Sequence, residues 1–393
     1  MRRGPLALAQ QVGPHLHWTA RGPRERCTPV KALFITADLG GNLPPTLALA
    51  NALARRGLDI EIAGLPQGRT RFTQRHYPPS LATTSEYGGR GLRKTSGMVR
   101  LVAGRGASRL SAALVARSRP NVVIVDCLLA APLRGALAGG ARVAVLFHSF
   151  GGFFYGRFDR GVPGRALWAL GLRPRTLWRS AAARIVLADP ELDPMSGVRE
   201  MRDFTWVGTA EQGAEPLDRG TRPRVLVALS STDWPGMLGV YRRTIAALST
   251  LPVDAVVTTG GVDLGGELTG APNVEVRGWA PHEGMLPAMD LVIGHGGHST
   301  TMRALAHGVP LLLLPINPIS DQRLIADTLA AAGLATVLSR SAGAARIREA
   351  IATTLADTAL RRNAAAAGER LRRSPAGADV AAARIMALLK AGS

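Results

Sequence analysis

Short runs of consecutive apolar residues recur along the chain, separated by segments with the spacing of amphipathic helices. Uninterrupted apolar runs of this length are typical of parallel strands buried on both faces. In the first half the predicted strands are residues 30–36, 60–63, 121–125, 141–147, 183–187 and 206–208. In the second half they are residues 224–230, 255–258, 274–276, 291–293 and 311–314. The alternation of strands with helices predicts an α/β protein with two parallel-sheet domains.

The domain boundaries follow from segments that lack this periodicity. Residues 209–222 mix glycine, proline and charge, which predicts a linker between an amino-terminal domain at 29–208 and a carboxyl-terminal domain at 223–375. Residues 376–393 predict a final helix. Residues 1–28 carry five arginines and no sustained apolar segment, which predicts a disordered extension without a secretory signal.

Composition narrows the classes of function. No apolar run is long enough to span a bilayer, although 46% of the residues are hydrophobic. The two cysteines, Cys27 and Cys127, are far apart, which indicates a reducing cytoplasm and neither a disulfide framework nor a zinc site. The net charge is +20, with eleven Lys or Arg and one acidic residue between Arg69 and Arg119. We expect a solvated face or mobile loop there, with attraction to anionic lipid or an acidic acceptor as the alternatives.

No nucleic-acid recognition motif accompanies the positive charge, so we expect no nucleic-acid partner. Residues 66–95 are rich in polar residues, proline and glycine, and they predict a long loop.

The most informative segment for function begins at Asp290 and ends at Asn317. The strand at 291–293 is followed by a glycine-rich turn and then by a predicted helix. A helix start exposes unpaired N–H groups and the positive end of the helix dipole, and glycines let an anion approach the backbone. The segment therefore predicts a diphosphate site. Its candidate residues are His295, Gly296, Gly297, Thr300 and Thr301, with Ser230 or Ser231 as an additional donor. The alternative is that His295 and the threonines only cap the helix.

This segment resembles the donor-site signature of the family 1 glycosyltransferases, which move a sugar from a nucleotide diphosphate to a small acceptor. The matching residues are His295, Gly296, Gly297, Thr300, Thr301, Gly308, Pro310, Pro315, Asp321 and Gln322. The resemblance implies a GT-B fold, in which two Rossmann-like domains face each other across a cleft and the last helix crosses back to the amino-terminal domain. It also implies transfer without a metal or a cofactor, the nucleotide-diphosphate sugar being a co-substrate.

The resemblance also implies roles for residues on both sides of the turn. Trp279 and His282 lie in a Trp-Ala-Pro-His sequence similar to the nucleobase motif of that family, and the indole would stack on uracil or thymine. Asp321 and Gln322 would accept and donate hydrogen bonds to the sugar hydroxyls. An ordinary core tryptophan and a solvated turn are the corresponding structural alternatives.

The general base is where the chain departs from the family. Many members carry Gly-His-x-x-Pro after the first strand, and that histidine is the base. Here Asn42 stands in its place, and an amide accepts no proton near neutral pH. Asp126, at a strand end, matches the aspartate that elsewhere orients the base, and we favour it as a direct base. His148, at the next strand end, is the second candidate, and a protein without a competent base is the third possibility.

Aromatic residues with interleaved arginines follow the strand at 141–147. Phe150, Phe153 and Phe154 are predicted to line an apolar acceptor pocket. A membrane interface is the alternative, and core packing accounts for about half of the aromatic cluster.

These observations favour a cytoplasmic, inverting glycosyltransferase, monomeric or homodimeric, that moves a hexose or deoxyhexose to a hydrophobic small molecule. Two alternatives stay open. One is a lipid-directed GT-B enzyme in peripheral contact with the inner face of an anionic membrane. The other is a sugar-nucleotide-binding partner protein that retains the donor site and lacks a base at Asn42.

Overall fold

The computed structural model describes residues 29–65, 68, 70–75, 92–217 and 220–391. The predicted extension at 1–28 lies outside the described residues, as does most of the predicted loop at 66–95. Within the described ranges, no helix is both long and apolar enough to cross a membrane.

The first half forms a sheet of seven parallel strands. In chain order they are β1 (Lys31–Ile35), β2 (Asp59–Ala63), β3 (Thr73–Arg75), β4 (Val122–Asp126), β5 (Arg142–Phe147), β6 (Ala183–Val186) and β7 (Thr205–Trp206). Their spatial order is β3-β2-β1-β4-β5-β6-β7, so the order reverses direction next to β1, between β1 and β4. Such a reversal creates a crevice at the carboxyl ends of the strands, where open α/β sheets bind ligands.

Helices cover both faces of this sheet. They are α1 (Leu43–Arg55), α2 (Leu92–Ala103), α3 (Arg105–Ser118), α4 (Ala130–Ala138), α5 (Val162–Ala169) and α6 (Pro174–Ser180), with a π-helix at Phe153–Phe158 and a short 3₁₀ turn at Arg199–Met201. Prolines 44 and 45 stand in the first turn of α1, where no intrahelical N–H donor is required. The helix begins at Leu43.

The second half forms a sheet of six parallel strands. They are β8 (Arg224–Ala228), β9 (Asp254–Thr258), β10 (Val274–Arg277), β11 (Leu291–Gly294), β12 (Leu311–Leu313) and β13 (Ala335–Val337), in the spatial order β10-β9-β8-β11-β12-β13. The helices are α7 (Met237–Leu248), α8 (His282–Met285), α9 (His298–Ala306), α10 (Gln322–Ala331), α11 (Ala344–Ala356), α12 (Thr358–Arg373) and α13 (Gly377–Lys390), with a 3₁₀ turn at Leu286–Ala288.

The last helix, α13, packs on the amino-terminal domain. Ala378, Ala381, Ala382 and Ile385 are buried in one apolar cluster with residues of α1 and β1. Asp379 at the start of α13 pairs with two arginines at the end of α1 at 2.8 and 2.9 Å. The apolar face buries the helix, and the partly exposed ion pairs add little to its stability.

Two parts of the secondary structure differ from the sequence prediction. The predicted loop at 66–95 contains β3, and α2 begins at Leu92. The prediction missed β13, a strand of three residues between α10 and α11. Both strands are too short for a run of apolar residues to stand out, and their pairing with a neighbouring strand is what defines them.

Candidate functional site

The carboxyl end of β11 leads directly into the glycine-rich turn and α9. Gly297 is the N-cap residue, and the N–H of Thr301 donates to its carbonyl at 3.1 Å. The first turn of a helix leaves its N–H groups without intrahelical acceptors. Thr300 is half-buried and Thr301 is buried, so of the two hydroxyls only that of Thr300 is near the surface. This arrangement can bind an anion through backbone N–H groups and one hydroxyl.

Both glycines of the turn are required by its geometry. Gly296 has φ +84°, and a Cβ there would lie 2.7 Å from the carbonyl oxygen of Gln322. A Cβ on Gly297 would lie 2.6 Å from Cε1 of His295, because the imidazole lies against the backbone at this residue. A side chain at either position would displace the backbone or the ring. In this conformation both positions therefore favour glycine.

His295 is buried beneath this turn and is 9% exposed. Burial lowers the pKa of its imidazole to about 4 from an ordinary value of 6.5. The ring is therefore neutral at pH 7, with one N–H donor and one acceptor nitrogen. Its Nδ1 is buried without a hydrogen-bond partner among the described residues. The neutral imidazole can donate its one N–H to a diphosphate oxygen at this turn.

The nucleobase candidates lie on the neighbouring β10–α8 loop. Trp279 is 72% exposed, so its indole face is open to a stacking partner. The alternative of an ordinary core tryptophan does not fit this exposure. His282 begins α8 and its Nε2 lies 2.9 Å from the hydroxyl of Thr258. Burial lowers the pKa of His282, which keeps that ring neutral near pH 7.

The sugar candidates precede and begin α10, and their environments differ. Gln322 is buried, and its Oε1 accepts from the backbone N–H groups of Ile316 and Asn317, each at 2.8 Å. Its amide thus holds the β12–α10 loop in place. Asp321 is half-buried, and its Oδ2 accepts a hydrogen bond of 2.6 Å from the hydroxyl of Ser149. Since Ser149 belongs to the amino-terminal domain, this bond crosses the cleft.

Further contacts join the two domains around the same cleft. The ring of Phe150 packs edge-on against that of His298, with centroids 5.5 Å apart. A Cβ on Gly40, which has φ +89°, would lie 2.9 Å from the hydroxyl of Thr232. Ser230, two residues before Thr232, accepts from the N–H of Thr232 at 2.9 Å. The loop after β1 therefore meets the loop after β8, and the segment after β5 meets the start of α9.

Asn42 is buried at the start of α1, next to Asp126. Its Nδ2 donates to Asp126 Oδ2 and to the carbonyl of Ala37, both at 2.8 Å. Its Oδ1 accepts from the N–H of Leu39 at 3.0 Å. Asn42 is 1% exposed and all three bonds use its side-chain amide. The residue therefore holds the β1–α1 loop and orients Asp126.

His148 lies beside the same carboxylate. Its Nδ1 is 3.4 Å from Asp126 Oδ2, and its side chain is 13% exposed, whereas that of Asp126 is 1% exposed. The other carboxylate oxygen of Asp126 accepts from the N–H of Leu128 at 2.9 Å. Asp126 is thus surrounded by hydrogen-bond partners, and of these two groups His148 is the one that reaches the surface.

The aromatic residues that were predicted to line an acceptor pocket are core residues in this structure. Phe150 and Phe154 are 0% and 1% exposed, and Phe153 is 7% exposed. Phe154 packs edge-on against Phe147, with centroids 5.4 Å apart. This packing favours the core alternative for these three rings, and an acceptor contact would require them to move.

Sequence reasoning assigned no role to Ser149 or Asp193. Asp193 is buried. Its Oδ2 accepts hydrogen bonds from Trp206 Nε1 at 2.7 Å and from the N–H of Gly151, and its Oδ1 accepts from the N–H of Gly152. It anchors the segment that follows His148. Ser149 is next to the candidate base His148 in the sequence, and this position could have identified it as a site residue. No pattern in the sequence distinguishes Asp193 from an ordinary loop aspartate.

Comparison with known proteins places these features in context. Residues 242–388 match the family described as erythromycin biosynthesis protein CIII-like, C-terminal domain. The chain is 32% identical to elloramycin glycosyltransferase ElmGT of Streptomyces olivaceus over 179 residues, 43% of each chain. It spans less than half the length of the curated streptomycete relatives it matches.

Longer similarities are weaker in sequence. The chain is 28% identical over 327 residues to the UDP-N-acetylglucosamine--N-acetylmuramyl-(pentapeptide) pyrophosphoryl-undecaprenol N-acetylglucosamine transferase of Synechococcus sp. (strain WH7803), covering 77% of this chain and 81% of that protein. The crystal structure of the kitacinnamycin glycosyltransferase has a TM-score of 0.73 and 21% identity, and the match covers 92% of this chain and 99% of that one. At this identity, the structural similarity identifies the fold alone.

Proposed function

We propose that the chain is an inverting glycosyltransferase related to family 1, because residues 242–388 match the erythromycin biosynthesis protein CIII-like C-terminal domain and the chain has a GT-B fold. It moves a hexose or deoxyhexose from a nucleotide-diphosphate sugar to a hydrophobic small molecule. The observation that carries the proposal is the hydrogen bond between Ser149 and Asp321. It places Ser149, which follows the candidate base His148, next to Asp321, the carboxylate that is proposed to hold the sugar.

The donor half of the mechanism rests on the β11–α9 turn. The N–H groups at the start of α9, the hydroxyl of Thr300 and the neutral imidazole of His295 stabilise the charge that develops on the leaving diphosphate. Trp279 stacks on the nucleobase, and Asp321 accepts hydrogen bonds from sugar hydroxyls. Because fixed dipoles provide the charge stabilisation, donor binding is proposed to need no metal ion.

In the acceptor half of the mechanism, His148 takes the proton of the acceptor hydroxyl, and Asp126 orients His148. This reverses the order of preference that the sequence favoured, because the carboxylate of Asp126 is enclosed by Asn42, Leu128 and His148. A proton on Nδ1 of His148 faces Asp126 and leaves Nε2 free to accept the acceptor's hydroxyl proton. The 3.4 Å separation is longer than an ideal hydrogen bond, and such bonds often tighten once the substrate is bound.

A screen of nucleotide sugars against mixed apolar acceptors, read by mass spectrometry, tests the proposal. A new product with the added mass of one sugar is the expected result. Donor binding without any turnover would instead favour the sugar-nucleotide-binding partner protein.

A lipid-directed enzyme is the second candidate, and exposed apolar side chains on α5 and just after it favour it. Val162 is 76% exposed, Trp168 is 50% exposed and Leu170, just after the helix, is 57% exposed. Arg160 and Arg165 are exposed beside them. Apolar side chains with nearby arginines suit the surface of an anionic bilayer. Cosedimentation with phosphatidylglycerol vesicles, lost in Trp168→Ala, would favour this candidate over a free small-molecule acceptor.

A further inference from the structure

Three possible metal ligands converge where β4 and β5 end. Asp126 is the last residue of β4, Cys127 follows it, and His148 follows β5. One oxygen of Asp126, the sulfur of Cys127 and one imidazole nitrogen of His148 all lie within 4.8 Å of one another. We propose that these side chains form a binding site for a thiophilic divalent cation, Zn²⁺ above all, and that its binding inhibits the enzyme. The inhibition rests on the proposed function, whereas the metal site does not.

The distances are close to those of a tetrahedral zinc site. Asp126 Oδ2 is 3.4 Å and Cys127 Sγ is 3.9 Å from His148 Nδ1. In a tetrahedral site with ordinary zinc–ligand bonds, neighbouring ligand atoms are about 3.3–3.7 Å apart. A small rotation of the side chains is therefore enough to bring the three atoms onto one ion. Three protein ligands with a fourth position open is a usual zinc arrangement.

The ligand set also suits the charge of the ion. A carboxylate and a thiolate neutralise a divalent cation, so the complex carries little net charge into a buried site. Without a metal, burial raises the pKa of the Cys127 thiol, and the charge of Asp126 raises it further. The thiol proton must therefore leave when the ion binds, as it does in other cysteine metal sites. A soft thiolate favours Zn²⁺ over Mg²⁺ or Ca²⁺.

The surroundings hold the ligands in place. Asn42 and the N–H of Leu128 bond to Asp126, and the indole N–H of Trp178 donates to the carbonyl of Cys127 at 2.9 Å. Such outer partners orient metal ligands. The partly exposed ring of His148 gives the ion a path from the cleft. The ligands lie at the ends of two strands, and Cys127 and His148 are 21 residues apart, so no zinc motif is visible in the sequence.

Inhibition follows from the atoms that the ion would use. An ion bound to Nδ1 of His148 would break the contact through which Asp126 orients His148. It would also coordinate Asp126 Oδ2, the oxygen that would otherwise stabilise a charged imidazole. The donor turn at His295 belongs to the other domain. Zn²⁺ should therefore lower turnover without weakening the binding of a nucleoside diphosphate.

The site can be tested with Co²⁺, whose thiolate complexes have an intense near-ultraviolet charge-transfer band. Chelator-treated full-length protein is titrated with Co²⁺, and we expect a band that saturates at one equivalent and is displaced by Zn²⁺. Cys127→Ala should remove the band, and Cys27→Ala, the matched control at the only other cysteine, should retain it. If the wild-type protein shows no such band, the proposal is wrong, whatever the variants show. A band that survives in Cys127→Ala also overturns it.

Zn²⁺ affinity and turnover provide the second readout. We expect Cys127→Ala to weaken Zn²⁺ binding by about a hundredfold or more, since even outer partners of metal ligands contribute 10–100-fold. The variant should keep its turnover and lose its sensitivity to Zn²⁺. Equal inhibition of the wild type and Cys127→Ala would refute inhibition through this site. A protein that binds Co²⁺ but turns over no donor would retain the metal site and reject the proposed function instead.

Discussion

The turn after β11 and the cluster after β4 and β5 occupy the same kind of position, the carboxyl ends of parallel strands, yet they are built differently. The donor turn is one continuous segment, whose shape depends on two glycines and which leads into the N–H groups at the start of α9. The base cluster joins Asn42, Asp126 and His148 from three separate segments, through side-chain contacts alone. A continuous segment leaves a recognisable pattern in the sequence, and an assembled cluster does not.

The two regions also differ in the charged and titratable groups that they contain. The donor turn buries a neutral histidine, and its proposed charge stabilisation comes from fixed dipoles. The base cluster contains a buried carboxylate and a partly exposed histidine, His148, which is the proposed proton acceptor. Substitutions in the donor turn should therefore affect donor binding, and substitutions in the base cluster should affect turnover.

The largest expected effect concerns His148. His148→Ala should lower kcat by about 10²–10⁴-fold, the usual contribution of a general base, while donor affinity stays unchanged. Steady-state kinetics and donor calorimetry measure the two quantities. Cys127→Ala, a buried neighbour outside the proton path, is the matched control and should keep its turnover. If His148→Ala retains full turnover and Asp126→Asn loses it, Asp126 is the base, as the sequence favoured.

The next effect belongs to the donor side. His295→Ala should cost about 2–4 kcal/mol of transition-state stabilisation, by analogy with other anion-hole donors. His307→Ala is a matched control, because His307 is also buried, at the other end of α9, and its Nδ1 lies 2.8 Å from the backbone carbonyl of Arg303 in that helix. Its donor affinity and turnover per folded molecule should not change. Equal losses in the two variants would mean that His295 supports the fold and does not contact the diphosphate.

The buried His295 also predicts a dependence of stability on pH. Its folded pKa of about 4 lies below the ordinary 6.5, so its contribution is complete above pH 6.5 and is lost as the pH falls toward 4. The free energy of unfolding should fall by about 3 kcal/mol across this window through His295 alone. Denaturant titrations at several pH values measure it. His295→Gln should reduce this slope, and an unchanged slope would contradict the neutral, buried imidazole.

The structure also shows what the sequence could and could not predict. Both sheets and the donor turn followed from apolar runs and from glycines next to a strand, and the GT-B resemblance is confirmed. The contact between Asp126 and His148 depends on the pairing of β4 with β5, which no local pattern encodes. The buried role of Gln322 and the core packing of Phe150 likewise depend on tertiary contacts. Local patterns predict elements, whereas burial is decided by what packs against them.

The smallest expected effect tests the bond that joins the two regions. Ser149→Ala removes the hydroxyl that donates to Asp321 across the cleft. A hydrogen bond contributes about 0.5–1.5 kcal/mol, and one to a charged group up to about 3 kcal/mol. We expect the affinity for the nucleotide sugar to fall about fivefold, because Asp321 loses its orientation, which corresponds to about 1 kcal/mol. A carboxylate accepts several hydrogen bonds, so Ser149 and a sugar hydroxyl can share it.

Calorimetry with the nucleoside diphosphate alone, which carries no sugar, is the internal control and should give the same affinity in the wild type and Ser149→Ala. Tighter binding of the nucleotide sugar to the variant would mean that Ser149 competes with the sugar for Asp321. Weaker binding of the nucleoside diphosphate as well would mean that the bond positions the whole carboxyl-terminal domain. Only a loss confined to the sugar fits a hydroxyl that orients the sugar-binding carboxylate from the opposite side of the cleft.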